Sequence, residues 1–206
     1  VDRLTQDAEE VVAYLRKRLG KSKIVVLGFS FGTTIGTRLA AARPEWLHAY
    51  VGVGQSAPGG ERYLYERVVA VATARNDTAA LRELRAIAPY PSPDGFDLQK
   101  ALLARKYARM YDGGWYGKPD FNLYFSLPDL GPEYTQADAD AYIPALKWAE
   151  QRVMMGGRQA AGRPTGREGS YRVPVILMMG RYDLHTPYEA ARVWFDRISA
   201  PNKKFI

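Results

Sequence analysis

The first part of the chain alternates between helical stripes and short apolar runs. In residues 2–19 apolar side chains recur every three or four positions, which predicts an amphipathic helix that ends near Gly20. Two apolar runs, 23–27 and 49–53, predict strands, and a helix that ends at Arg43 lies between them. Helices and strands in alternation are typical of a parallel sheet whose strands are joined by crossover helices.

The middle of the chain has a different pattern, because its apolar residues follow helical periodicity and no run typical of a strand occurs. Predicted helices cover roughly 61–75, 78–88, 97–111 and 136–154, the last with a bend at Pro144. An aromatic stretch from Trp115 to Phe125 and a Gly-rich basic loop over 156–170 complete this region. A helical insertion between sheet strands predicts a lid over the core.

The sheet pattern returns after the insertion. Residues 173–179 are an apolar run that predicts a buried strand. Thr186 and Glu189 have the spacing of a capping box, with Pro187 at the first helical position, so Thr186 is predicted to be the N-cap of the next helix. Residues 203–206 predict the opening of a further strand.

The sequence therefore predicts an α/β fold with one inserted domain. The chain starts at Val1, directly before a helix, and stops at Ile206, within a predicted strand. We expect the core to be incomplete at both ends. The predicted core comprises 1–57 and 171–206, and the predicted lid comprises 58–170.

Composition excludes several classes of protein. Cysteine is absent, which rules out disulfides and thiol catalysis, and two histidines without cysteine make a structural zinc site unfavourable. The net charge of +7 is spread along the chain, as expected of a solvated basic surface rather than a nucleic-acid footprint. No run approaches the roughly 18 apolar residues of a membrane span. We expect no metal, no organic cofactor, no nucleic-acid partner and no membrane association, with the cytoplasm as the default location.

The sequence Gly-Phe-Ser-Phe-Gly at residues 28–32 lies where the first strand meets the following helix. Such a tight turn places Ser30 at its apex, and Gly28 and Gly32 are predicted to be needed because a Cβ at either would collide with the passing chain. Ser30 would be a nucleophile at a helix N-terminus, and the N–H of Phe31 would donate to an oxyanion. The alternative is a Gly-rich turn without chemistry, or one that binds phosphate, although it lacks the lysine of a P-loop.

A serine nucleophile needs a base, and the base needs an orienting carboxylate. Asp183 is the candidate acid, since it follows the carboxyl end of a predicted strand. The alternative is that Asp183 caps the next helix, a role that Thr186 is predicted to fill. His48 lies at the wrong end of its strand and His185 is only two residues after Asp183, so we expect the catalytic histidine beyond Ile206.

These motifs together resemble the proline iminopeptidase-like branch of the α/β-hydrolase superfamily. The resemblance is carried by LGFSFGT at 27–33, AYVGVGQ at 49–55, GRYD at 180–183 with Thr186-Pro187, and SAPNKK at 199–204. It implies that Ser30 is the nucleophile and Asp183 the acid. It also implies an early loop for the second oxyanion N–H and a histidine after the last strand, neither of which occurs in this sequence.

The resemblance implies a serine hydrolase that forms an acyl-enzyme, most simply an aminopeptidase-like enzyme acting on small peptides. Family aminopeptidases hold the free amine of the substrate with lid carboxylates, and the possible positions here are Glu61, Glu66, Asp112 and Glu133. An esterase of small esters is an alternative on the same scaffold. A catalytically inactive binding module is a second alternative if the chain is complete.

The predicted strand at 23–27 would have an open edge if no earlier strand pairs with it. We therefore expect the 206-residue chain on its own to be poorly soluble or partly unfolded.

Overall fold

The computed structural model describes residues 1–95, 97–114, 131–156 and 169–206. The predicted aromatic stretch and most of the predicted basic loop lie outside these residues. The described α-helices are α1 (Asp2–Arg18), α2 (Gly32–Ala42), α3 (Gly60–Ala74), α4 (Thr78–Ala86), α5 (Leu98–Met110), α6 (Gln136–Gly156) and α7 (Tyr188–Arg197). The described strands are β1 (Ile24–Phe29), β2 (Leu47–Val53), β3 (Val175–Met178) and β4 (Lys203–Phe205), with a short 3₁₀ turn at Pro44–Trp46 before β2.

The strands form a four-stranded parallel sheet in the order β1-β2-β3-β4. Phe29 is opposite Val53, and Val53 is opposite Met178, so three strands end in one row across the sheet. Every loop that follows a strand therefore starts at the same edge. The predicted α/β fold with a parallel sheet and crossover helices is confirmed.

One face of this sheet is buried. The core includes Tyr50 from β2, Val175 and Leu177 from β3, and Phe195 from α7. Complete burial of side chains of this size contributes about 1.5–3 kcal/mol each to folding. The alternate residues of β1 point to the opposite face of the sheet and remain largely exposed among the described residues: Val25, Leu27 and Phe29.

The helix ends agree with their local sequence. Gly20 follows the C-cap of α1 with φ +61°, a left-handed conformation that glycine adopts without a Cβ penalty. Asp77 caps α4 by accepting a hydrogen bond from Ala80 N–H at 2.9 Å, and Asp97 caps α5 in the same way. Pro144 lies inside α6, within the helix that the sequence predicted around it.

The chain divides into two compact units. One comprises Val1–Leu64 with Arg163–Ile206, and the other comprises Tyr65–Gly162. The first contains the whole parallel sheet, and the second contains α4, α5 and α6. The domain boundaries that the sequence predicts, after residues 57 and 170, stay predictions.

Candidate functional site

Ser30 occupies a sharp turn between β1 and α2. Its φ is +49°, in the left-handed region that non-glycine residues enter at a cost of about 1–2 kcal/mol. The N–H of Ser30 donates to the carbonyl of Val53 at 2.9 Å, which extends the ladder between β1 and β2 by one residue. The turn is therefore held at the carboxyl edge of the sheet, and it leads directly into the first turn of α2.

The two glycines that flank the turn have different roles. A methyl group on Gly28 would lie 2.7 Å from the carbonyl oxygen of Gly32 and 2.9 Å from the Cα of Thr33. Both are backbone atoms that cannot move aside cheaply, so the predicted need for glycine at position 28 agrees with the geometry. The prediction for Gly32 is wrong, because a methyl group placed there would have no described atom within 4 Å apart from its chain neighbours and the backbone of its own helix.

The carbonyl of Ser30 is bound by three donors. The N–H of Thr33 donates to it at 2.9 Å, the hydroxyl of Thr33 at 2.6 Å and the hydroxyl of Ser56 at 3.4 Å. The side-chain oxygen of Thr33 also accepts a hydrogen bond from Ser56 N–H at 3.0 Å. By contrast, the hydroxyl of Ser30 and the N–H of Phe31 make no hydrogen bond with any residue in the described ranges.

A buried polar pair lies behind this turn. Gln55, only 2% exposed, accepts a 2.8 Å hydrogen bond from the Tyr50 hydroxyl at its Oε1 and donates at 2.8 Å from Nε2 to the carbonyl of Ser56. Burial raises the pKa of Tyr50 far above its ordinary value, with a smaller contribution from Tyr171, so the hydroxyl stays a donor. A methyl group on Gly52 would collide with Gln55 Oε1 and lie 3.0 Å from the Tyr50 hydroxyl, so Gly52 makes room for the pair.

Sequence reasoning did not identify Gln55, Thr33 and Ser56 as part of the site. The hydrogen bond from Ser56 N–H to the Thr33 side-chain oxygen joins residues 23 positions apart, which local patterns do not report. One signal was available, since a glutamine directly after a Gly-rich strand end needs hydrogen-bond partners if it is buried.

The carboxylate of Asp183 is held by its own loop. Its Oδ1 accepts hydrogen bonds from the N–H of His185 at 2.7 Å and the N–H of Thr186 at 2.9 Å, and its Oδ2 accepts one from the Thr186 hydroxyl at 2.5 Å. The prediction that Thr186 caps the next helix is wrong, because the N-cap of α7 is Pro187 and no side chain bonds there. Thr186 turns toward Asp183 instead.

Gly54 lies close to Asp183 and Thr186 and to Phe29 at the end of β1. Its φ is +55°, and a methyl group there would lie 3.1 Å from the hydroxyl oxygen of Thr186, 3.7 Å from Asp183 Oδ2 and 3.9 Å from the ring of Phe29. Ser30 itself is bonded to Val53, the preceding residue. The structure thus brings the Ser30 turn and the Asp183 loop to either side of the β2 carboxyl end.

The chain has two histidines, His48 and His185. His48 is exposed and is the second residue of β2, at the opposite end of the strand from Val53. His185 follows Asp183 and binds its carboxylate through the backbone N–H, while the ring Nε2 is buried. A base must reach the substrate, so neither position favours that role. The expectation of another histidine as base stays a prediction.

The candidate amine-binding carboxylates are spread over both units. Glu61 is in the first turn of α3, and Glu66 is on the same helix. Asp112 follows α5 with φ +59°, and its Oδ2 lies 3.6 Å from a guanidinium nitrogen of Arg75. Glu133 is exposed before α6. Their predicted role is not tested by these positions.

Within the described ranges, no group of three or more His, Asp or Glu side chains could hold a metal ion. None of the described helices is long and apolar enough to cross a bilayer.

The chain belongs to the α/β-hydrolase fold family, because the family model described as "alpha/beta hydrolase fold" matches residues 2–205. The superfamily resemblance drawn from the sequence is confirmed by this match. One curated relative, named "Probable aminopeptidase YbaC", from Bacillus subtilis (strain 168), is 20% identical over 211 residues, which cover 100% of this chain and 64% of the relative. The chain thus spans less than two thirds of that protein.

Two solved structures align with nearly the whole of this chain. A proline iminopeptidase-related protein from Thermus thermophilus aligns with a TM-score of 0.48 and 16% identity, covering 99% of this chain and 61% of that protein. An alpha/beta fold family hydrolase from Bacillus anthracis str. Sterne aligns with a TM-score of 0.47 and 15% identity, covering 98% of this chain and 65% of that protein.

Proposed function

We propose that the protein is a serine hydrolase in which Ser30 is the nucleophile and Asp183 orients the base. The observation that carries the proposal is the strained turn at Ser30, whose φ is +49° and whose hydroxyl makes no hydrogen bond within the described ranges. Backbone strain of this kind persists where the surroundings enforce it, and it is frequent at active sites. The family match supports a hydrolase reaction in general terms.

The reaction would proceed through an acyl-enzyme. Ser30 Oγ attacks the acyl carbon while the base takes its proton, and the carbonyl oxygen becomes an oxyanion. The N–H of Phe31, at the N-terminus of α2, would donate to that oxyanion, assisted by the helix dipole. Collapse of the intermediate expels the leaving group, which receives the proton from the base, and water then releases the acyl group by the same steps.

Asp183 retains capacity to orient a base. A carboxylate offers about four acceptor sites, and three of those on Asp183 are occupied by donors from its own loop. The remaining site, on Oδ2, could accept the N–H of an imidazole. The residues after β4 would supply this histidine, because β4 lies next to β3, whose carboxyl end leads to Asp183.

For the substrate we propose a small peptide with a free amino terminus. The support is the name of the Bacillus subtilis relative, a probable aminopeptidase, together with the sequence resemblance. Such a substrate needs a carboxylate near its ammonium group. The four candidate positions to test by substitution are Glu61, Glu66, Asp112 and Glu133.

The nucleophile can be tested by covalent labelling of the full-length protein with a fluorophosphonate probe. We expect labelling of the parent and none of Ser30→Ala, whereas Ser92→Ala, a serine in the second unit, should label like the parent. A folded parent that is not labelled, or a Ser30→Ala variant that is, would overturn the proposal.

Two substrates separate the possible activities. A Pro-aminoacyl amide and a short acyl ester should both be offered to the full-length protein, and we expect a larger kcat/KM for the amide. A clear preference for the ester would indicate an esterase instead. Absence of turnover and of labelling in a folded protein would favour a binding module.

A further inference from the structure

The peptide unit between Ser30 and Phe31 connects the two polar groups that the proposed reaction uses. The carbonyl of Ser30 and the N–H of Phe31 belong to one planar amide, and in a trans peptide they point in opposite directions. Any contact that fixes the direction of the Ser30 carbonyl therefore also fixes the direction of the Phe31 N–H. This inference rests on the proposed function.

We propose that Thr33 is a positioning residue, whose buried hydroxyl holds the Ser30 carbonyl inward and so aims the Phe31 N–H at the oxyanion. Thr33 is 0% exposed, and its hydroxyl donates to the Ser30 carbonyl at 2.6 Å, the shortest of the three bonds to that oxygen. Its side-chain oxygen is in turn held by the N–H of Ser56 at 3.0 Å.

The Tyr50–Gln55 pair supports this arrangement from behind. Tyr50 donates to Gln55 Oε1 at 2.8 Å and lies 3.3 Å from the carbonyl oxygen of Thr33. Gln55 Nε2 binds the carbonyl of Ser56, which fixes the loop that carries the Ser56 N–H. Tyr50 is fully buried, and burial raises the pKa of its hydroxyl, so the hydroxyl remains a donor to Gln55.

The alternative is that these bonds only stabilise the fold, and the two roles have different signatures. An oxyanion donor acts in the transition state, so its displacement lowers kcat and leaves KM nearly unchanged. It also weakens an inhibitor that forms an oxyanion, such as a trifluoromethyl ketone. A purely structural contact changes the unfolding temperature but neither of these.

The test compares Thr33→Val with Thr37→Val in the full-length protein. Valine keeps the branched shape and removes the hydroxyl, and Thr37 lies one turn further along α2, where its hydroxyl bonds the helix carbonyls of Thr33 and Thr34. We expect Thr33→Val to lower kcat roughly tenfold and to raise the inhibition constant of the ketone by the same factor, with KM unchanged. Thr37→Val should leave all three as in the parent.

Two further variants complete the design. Thr33→Ser retains the hydroxyl and should restore kcat and ketone binding. Tyr50→Phe removes one hydroxyl behind the site and should lower kcat in the same direction by a smaller factor, which provides a measurement if Thr33→Val does not fold. If Thr33→Val or Tyr50→Phe is folded and has the kcat and ketone affinity of an active parent, this inference alone is wrong; an unlabelled Ser30 in the parent overturns both proposals.

Discussion

The hydroxyl of Thr186 donates a 2.5 Å hydrogen bond to Oδ2 of Asp183, while the N–H of the same residue donates to Oδ1 at 2.9 Å. One residue thus binds both oxygens of the carboxylate and fixes the plane in which it lies. The hydrogen bond from the Thr186 hydroxyl to Asp183 does not cap α7, because that helix begins at Tyr188 without a side-chain cap.

Thr186→Val tests whether this contact matters for activity. The substitution leaves Oδ2 without its hydroxyl donor, and loss of such a bond lowers the free energy of unfolding by about 1–3 kcal/mol. If Asp183 orients the base, kcat/KM of the full-length protein should also fall roughly tenfold, because the carboxylate can rotate. Urea unfolding and steady-state kinetics measure the two effects, and Thr186→Ser is the control that should keep both. Parent-like kinetics in Thr186→Val would argue against the catalytic role of the loop.

Gly28→Ala and Gly32→Ala form a matched pair of substitutions. The first places a methyl group 2.7 Å from a backbone oxygen, and the second meets no described atom within 4 Å beyond its chain neighbours and its own helix backbone. Overpacking against backbone costs about 1–3 kcal/mol, so we expect Gly28→Ala to lower the free energy of unfolding by that amount or more. Gly32→Ala should be neutral or slightly stabilising, because alanine favours the first turn of α2. Equal effects in chemical denaturation would contradict the geometry.

Asp77 predicts a pH dependence of stability. Folding lowers the pKa of its carboxyl below the ordinary value of 3.8. The largest cause is the hydrogen bond from Ala80 N–H, and the next is the hydrogen bond from the Tyr111 hydroxyl. A lowered pKa means that the carboxylate stabilises the folded state above the unfolded-state pKa and loses this effect as the pH falls through the folded-state value.

Asp77→Asn removes the titration and keeps a residue that caps helices. The difference in free energy of unfolding between the parent and this variant should be constant near neutral pH and should shrink as the pH is lowered below about 4. Tyr111→Phe removes one of the donors and should make the same pH dependence shallower. A difference that does not vary with pH would show that Asp77 does not titrate with folding.

The exposed residues of β1 predict self-association of the 206-residue chain. Val25, Leu27 and Phe29 are 55%, 62% and 59% exposed on a strand that lies at the edge of the four described strands. Unpaired edges and apolar strand faces promote contact between copies. Light scattering should therefore show association that Val25→Lys with Leu27→Lys reduces, while Leu102→Lys on α5 does not. A monomeric parent with a sharp cooperative melt would contradict this prediction.

Local sequence signals were enough to locate the strand-turn-helix around Ser30 and the position of Asp183 after β3. Apolar runs, glycine spacing and helical periodicity each act over a few residues, and the described helices and strands match the predicted ones within a few positions. β3 starts at Val175 rather than at residue 173, because Pro174 has no N–H to donate. The carbonyl of Pro174 still accepts a hydrogen bond from the backbone N–H of Tyr50 at 2.9 Å.

The contacts that complete the site could not be predicted in the same way. Thr33, Gln55 and Ser56 come together only through the pairing of β1 with β2, and Thr186 turns toward Asp183 rather than toward its helix. Such choices depend on the three-dimensional register of the strands and on which buried polar groups still need partners.

The backbone N–H of Gln55 also donates to the sulfur of Met179, 124 residues further along the chain. Gln55 follows β2 and Met179 follows β3, so this bond joins the two ends of the segment inserted between these strands. The entropy lost in bringing the ends of such a segment together grows only with the logarithm of its length. Doubling the inserted segment would cost about 0.6 kcal/mol. Insertions of very different size between β2 and β3 are thermodynamically tolerable here, so the inserted segment can change in length while the frame that holds Ser30 and Asp183 stays the same.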